Sequence, residues 1–396
     1  MEDVPMIESR RPATPIHHYV AEASYYSAKT RAYLRQKRLD FVERFAGHPH
    51  YLTEVLPKAG FIRMPTVELP DGTVIQDSSE IIDHLESRYP ERPVLPAGPR
   101  QRLAALILEV YADEGLLPAG LHYRWSFRET NDPFVIDEFG TAASGGRAAL
   151  VSSLGEQIAS QMNAHLAPMG VTAATIPAIE ASTMELFDLL NAHFRIEPYL
   201  FGGRASIADC ALMAPMYGHF ARDPYPAQLM RRRAPRLHRW TERMNAREFP
   251  PPEFPDAEDV FAAGDTIPDT TMQVLRLVAD DFFPELRGLL ATYNTWAAGM
   301  SETAPGTSIR SLPNGMAGCG WHTFTLRGVP VSRAARIDTV WKWQRPLEHY
   351  WSLAGEDRGA ADGLIEALGA SDLFALAPVP RIARDARNFF VFGSAR

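Results

Sequence analysis

Between residues 17 and 85 the sequence alternates strand-like and helix-like runs in an order that few folds accommodate. His17-His18-Tyr19-Val20 reads as a short strand. Residues 28–37, rich in Ala, Leu, Arg and Gln, predict a helix. Phe41-Val42-Glu43-Arg44 reads as a second strand, and residues 51–59 as a short helix or irregular turn. Two β-rich runs, 65–69 and 73–76, flank Pro70-Asp71-Gly72, a strong hairpin signal. Ile81, Ile82 and Leu85 then fall on one face of a helix, with Asp77 or Ser78 as its N-cap. The order is β-α-β-α-β-β-α over about 75 residues, an α/β unit.

Four prolines between Pro90 and Pro99 end this unit in a stiff, donor-poor linker. Beyond it the pattern is helical over 103–117, 148–165, 176–194 and 226–245. After Gly202-Gly203, Ser206 reads as an N-cap and Asp209 as its capping-box partner, opening an apolar helix buried all round. The Phe249–Pro255 stretch, with four prolines, marks a second boundary. The remainder carries a helical run at 270–298 and a strand at 322–326 closed by Gly328-Val329-Pro330. An aromatic segment at 337–353 follows, with Trp341, Trp343 and Trp351. Such an aromatic stripe is more often core than a ligand cap. The reading is a tail at 1–15, an α/β domain at 16–91, an all-helical domain at 100–248 and a mainly helical extension at 256–396.

Composition excludes several functions. A net charge of −8 offers no basic field for nucleic acid or anionic lipid, and Arg231-Arg232-Arg233 reads as a solvated helix face. Cys210 and Cys319 are the two cysteines and form no metal-ligand or CxxC pattern, so no metal is expected and a reducing cytoplasm fits. No signal peptide and no membrane-spanning stretch are evident.

The chemistry is concentrated where the first strand turns into the first helix, at Ser24-Tyr25-Tyr26-Ser27-Ala28-Lys29-Thr30-Arg31. A thiolate at a helix N-terminus is stabilised by free N–H groups and the helix dipole, and a serine hydroxyl there adds a further hydrogen bond. Ser24 and Ser27 are the candidates for that role, and either is equally explained as an ordinary N-cap.

This stretch resembles the Ser-Pro-x-Ser-x-Lys-Val-Arg turn of the cytosolic glutathione S-transferase family, serine type. Arg63-Met64-Pro65 resembles its x-Val-Pro, in which the proline is cis. Gln76 to Leu85 resembles its Glu-Ser-x-Ala-Ile-x-x-Tyr-Leu, and Gly203 to Asp209 its core-helix capping box. The resemblance spans residues 16–246 and leaves the extension outside. It implies a thioredoxin-like N-terminal domain, a helical second domain, glutathione as co-substrate and a homodimer.

Carried over by position, Ser24 is implied to activate the glutathione sulfur, with Ser27, Tyr25 and Tyr26 as alternatives. Met64 and the cis Pro65 would present a backbone edge to the cysteinyl part. Gln76, Asp77 and Ser78 fall at the γ-glutamyl end, Ser78 holding the carboxylate and Asp77 meeting the ammonium. Arg63 is assigned from its charge to the glycyl carboxylate. Tyr25 stands where the family has proline, His84 where it has tyrosine, and the 60–65 span is longer than usual. Tyr26, Tyr123 and Trp125, with Tyr111, His122 and Arg124 nearby in sequence, are candidates for lining a hydrophobic electrophile pocket or are core. The expected activity is thiolate attack on a small electrophile, with lyase, isomerase and dehalogenase variants possible in the same family. The alternative is a non-catalytic ligand-binding or protein-interaction protein.

Overall fold

The computed structural model describes residues 15–309 and 317–394. The expected 1–15 tail falls outside it except for Pro15. Strand β1 (Ile16–Val20) is followed by helix α1 (Tyr25–Gln36), which returns the chain so that β2 (Phe41–Phe45) runs parallel to β1. After a π-helical turn at Tyr51–Val55 and the one-turn α2 (Leu56–Ala59), β3 (Thr66–Glu68) and β4 (Val74–Gln76) form an antiparallel hairpin. At its turn Thr73 N–H donates to Asp71 Oδ1 at 3.0 Å, and Gly72 takes φ +81°. The sheet order is β2-β1-β3-β4, with α3 (Ser78–Arg88) closing the unit. The N-terminal domain is the expected thioredoxin-like α/β unit.

The second domain is helical, with more breaks than periodicity suggests. The expected 103–117 helix is α4 (Pro99–Val110), then a π-helical turn at Tyr111–Gly115, and Pro118 starts a new helix, α5 (Leu117–Trp125). Helix α6 (Arg128–Ala143) was not expected, because Pro133 and Gly140 obscure its pattern. Then come α7 (Val151–Asn163) and α8 (Ile176–His193). The capping box at α9 (Ile207–Pro215) is formed: Asp209 N–H donates to Ser206 Oγ at 3.3 Å and Ser206 N–H to Asp209 Oδ2 at 2.9 Å. Every residue of α9 is buried. The run at 226–245 is two helices, α10 (Pro224–Arg233) and α11 (Pro235–Asn245), since Pro235 drives Ala234 out of helical geometry (φ −130°, ψ 61°).

The extension divides likewise. Residues 270–298 form α12 (Asp269–Asp281) and α13 (Phe283–Ala298), separated at Phe282 just before Pro284. The expected strand is longer, β5 (Gly318–Leu326), and it has a partner, β6 (Val329–Arg336), across Arg327-Gly328 with φ +50° and +80°. Gly328 therefore turns the hairpin rather than ending a lone strand. Helices α14 (Ile337–Ser352), α15 (Gly355–Ala367) and α16 (Ser371–Ala375) follow, then a short hairpin of β7 (Ile382–Arg384) and β8 (Phe390–Phe392).

One hydrophobic core runs through all three parts, from Ile16 and Leu103 to Trp240, Trp343 and Phe392. Trp343 is fully buried against Phe283 and Phe374, confirming the core reading for this aromatic, whereas Trp341 is only partly buried. No helix of the described residues is long and apolar enough to cross a membrane.

Trp343→Ala is expected to lower the unfolding free energy by about 3–5 kcal/mol and to shift one cooperative urea transition followed by circular dichroism. Two separate transitions, with only one of them shifted, would show that the extension unfolds by itself.

Candidate functional site

Three segments meet at one end of the sheet because of its register. Tyr19 pairs with Thr66, and Thr66 with Gln76, so the end of β1, the start of β3 just after Pro65 and the end of β4 just before α3 lie in one row. The Gln76 side chain fastens the approach to β3, donating to the carbonyls of Phe61 (2.9 Å) and Arg63 (3.1 Å). The Met64–Pro65 peptide is cis. Asp77 takes φ +80°, a conformation uncommon outside glycine, and its Oδ1 accepts from Ser79 N–H at 2.9 Å as the cap of α3.

Ser24 caps α1. Its hydroxyl oxygen accepts from Ser27 N–H at 3.3 Å and its O–H remains a donor. It is half-buried, whereas Ser27 is fully buried. The two tyrosines between them are tied elsewhere. Tyr25 donates to the Ala112 carbonyl at 2.5 Å, and Tyr26 to the Asp113 carbonyl at 3.0 Å and Glu114 Oε1 at 3.2 Å. Burial pushes both phenols well up, so neither is a source of phenolate at neutral pH. The acceptors belong to the π-helical turn after α4. Glu114 O likewise accepts from Arg333 at 3.1 Å. Arg124 holds the turn before Ser24 from below: it is paired with Asp223 at 2.7 Å and donates to Ala23 O at 2.7 Å.

Beneath and beside this turn lies a buried ionic network that the sequence reading did not anticipate. Lys29 Nζ contacts Glu109 at 2.8 Å, Asp113 at 2.7 Å and Ser79 Oγ at 3.2 Å. The extension adds the rest. Lys342 meets Asp113 at 2.5 Å, Arg336 meets Glu114 at 2.8 Å, and Arg345 bridges Glu109 at 3.0 Å and Asp83. Asp338 faces Arg63 at 3.4 Å and Arg384 faces Asp77 at 3.1 Å. Burial opposes the charge on Glu109, but Arg345 and Lys29 bring its carboxyl down to about 2. Burial likewise opposes Asp77, yet Arg384, Lys342 and Arg63 hold it well below the usual carboxylate range. A signal for α14 was present: Asp338, Lys342 and Arg345 recur at three-to-four spacing, which puts three charges on one face of the helix.

The aromatic candidates do not converge. Tyr123 stacks on Phe127 and packs on Phe220 in the main core, while Trp125 stacks on Phe139 in a smaller, separate one. Tyr26 instead has the Lys342 ammonium 4.7 Å from its ring centroid. His122 bonds Ser126 and Glu180. Tyr111 lines a cavity of about 50 Å³ with Met169, Phe282 and Val331, room for a water or two rather than an organic electrophile. Among the described residues no cluster of three His, Cys, Asp or Glu is placed to hold a metal.

Residues 19–93 match the family model of the glutathione S-transferase N-terminal domain, and residues 164–248 that of the C-terminal domain. No curated protein matches the chain. Among solved structures it is similar to a glutathione S-transferase of Methylobacterium radiotolerans JCM 2831 in complex with glutathione sulfonate. That likeness has 24% identity, covers 65% of this chain and 99% of that one, and has a TM-score of 0.36. A glutathione S-transferase of Rhodospirillum rubrum F11 has 16% identity, 65% and 97% coverage and a TM-score of 0.37. One of Methylobacillus flagellatus KT with glutathione bound has 16% identity, 62% and 100% coverage and a TM-score of 0.33.

Glu109 gives the network a pH signature. Its carboxyl titrates lower folded than unfolded, so its stabilisation is complete above about pH 4.5 and is lost as pH falls toward about 2. Glu109→Gln is expected to cost about 3–5 kcal/mol at neutral pH and to flatten acid unfolding over that interval. Equal acid sensitivity in the variant and the parent would remove Glu109 from this role.

Proposed function

Starting from a chain that carries both domains of the glutathione S-transferase family, we propose that it binds glutathione across the end of the sheet and activates its thiol. The single observation that carries this reading is the shared row of Tyr19, Thr66 and Gln76. It brings a capped helix start, a cis-proline edge and a second helix start to one place, as a three-part ligand requires.

In this reading Ser78 and the N-terminus of α3 take the γ-glutamyl carboxylate, Asp77 the ammonium, the Met64–Pro65 edge the cysteinyl backbone, and Arg63 the glycyl carboxylate. The sulfur then lies at the start of α1. Ser24 O–H donates to it, and the helix dipole favours the thiolate over the thiol. The thiolate attacks an electrophilic carbon. A carbon–sulfur bond forms as the leaving group departs with its electron pair, or as a double bond takes up a proton. Ser27, sealed in the core, and Tyr25, committed to Ala112, are less suited to the role than Ser24. The second substrate is taken to be a small hydrophobic electrophile and the active form a cytoplasmic homodimer.

A non-catalytic reading has one observation in its favour: Ser78 is 1% exposed, and its neighbour Asp77 is ion-paired to Arg384 of the extension. Retention on immobilised glutathione, followed by an ultraviolet thiolate titration of the complex, separates the two. Retention with a depressed thiol pKa supports catalysis. Retention with an unshifted thiol supports carriage.

With a chloronitrobenzene electrophile, Ser24→Ala is expected to lower kcat about tenfold or more, about 1.4 kcal/mol of transition-state stabilisation. Ser78→Ala is expected to raise the KM for glutathione and leave kcat largely intact. Undiminished turnover in Ser24→Ala would move the sulfur donor elsewhere.

A further inference from the structure

The two charged groups assigned to the ends of glutathione are both already answered by the extension, with charges of the same sign as the ligand's own. Asp77, the partner for an ammonium, is held by the Arg384 guanidinium at 3.1 Å. Arg63, the partner for a carboxylate, is held by Asp338 at 3.4 Å. Around them the site is closed: Asp77 is 7% and Ser78 1% exposed.

Arg384 sits on the β7–β8 hairpin, clamped between the rings of Trp341 and Phe390, each 4.3 Å from its guanidinium carbon. The tip of the hairpin reaches the segment leading to the cis proline. Phe389 packs on Phe61 with ring centroids 4.9 Å apart. Gly60, at φ +90°, lies so near that a Cβ there would be 2.9 Å from the Arg387 carbonyl. The hairpin thus spans from the start of α3 to the segment before Met64.

We propose that the tip of the C-terminal hairpin, carrying Arg384, is an internal pseudo-ligand, which glutathione must displace from Asp77 in order to bind. This rests on the glutathione reading above and adds a competitor to it. The contacts are suited to exchange. At the tip, residues 385–387 are exposed, while the base is fixed by the buried Ile382, Phe390 and Phe392, by Gln344 on the Ile382 backbone, and by backbone hydrogen bonds from β8 to residues 306–309. The fit beneath it is incomplete, since the buried Ser78 Oγ and Arg384 Nε have no hydrogen-bond partner. Leaving such groups unpaired weakens the closed state. The rest of the ionic network joins α14 to α1, α3 and α4, and Ile382, Phe390 and Phe392 stay anchored in the core, so the part free to move is the tip that carries Arg384.

A site blocked in about nine molecules of ten shows an affinity reduced about tenfold. The test uses the full chain. Backbone hydrogen exchange of residues 383–389 in the unmodified protein is expected to quicken when glutathione saturates it. Glutathione titration calorimetry on Arg384→Ala is expected to give a Kd about tenfold lower than the parent's. Slower or unchanged exchange at 383–389 on binding overturns the proposal, as does weaker or equal binding by Arg384→Ala. Should that variant fail to fold, the exchange measurement on the parent decides by itself. If neither the parent nor Arg384→Ala binds glutathione at millimolar concentration, the glutathione reading falls with it. If the parent binds and its hairpin is undisturbed, only the pseudo-ligand falls.

Discussion

The ammonium of Lys29 is the point on which the candidate site is built. It is fully buried, and moving it from water is costly unless its charge and its hydrogen bonds are all met. Ser79 from α3, Glu109 from α4 and Asp113 from the π-helical turn that continues α4 meet them. This one contact therefore fixes α1, which begins at Ser24, relative to α3, which begins at Ser78, and to α4. Two helix starts held at a set separation are what a ligand with an anionic end and a sulfur would need. Burying so many charges is not an efficient source of stability, but it demands one geometry, because any slip leaves a charge unpaired.

The extension enters by the same route. Lys342 shares Asp113 with Lys29, and Arg345 shares Glu109 with it, so the two domains and the extension use common carboxylates. Apolar packing repeats the message, with Trp343 in a core continuous with that of the helical domain. The proline-rich break at 249–255 separates sequence patterns without separating folding surfaces.

Local signals made the N-terminal unit legible. Strand runs, the Pro-Asp-Gly turn and the Asp77 cap act within a few residues, and each formed where it was read. The Ser206–Asp209 capping box formed for the same reason. Proline hid the rest: Pro118, Pro235 and Pro284 each restart a helix within a continuous apolar pattern, and periodicity cannot see such a break. In the site, Ser24, Met64, Pro65, Asp77 and Ser78 could be picked out by motif. Lys342, Arg345 and Arg384 could not, because their partners lie more than 200 residues away. The spread of the aromatic candidates was hidden for the converse reason. Tyr123 and Trp125, two residues apart on α5, point into different cores, a distinction that composition does not carry.

The π-helical turn at 111–115 imposes a rule on chain length. Its carbonyls hold Tyr25, Tyr26 and Arg333, while Asp113 and Glu114 within it carry Lys29, Lys342, Arg336, Thr339 and the Tyr26 hydroxyl. Losing one residue would restore ordinary winding and swing everything beyond it by about 100° around the axis. Evolution can lengthen or trim the surface loops of this chain freely, but at this buried turn the residue count is itself a structural element, as fixed as any side chain.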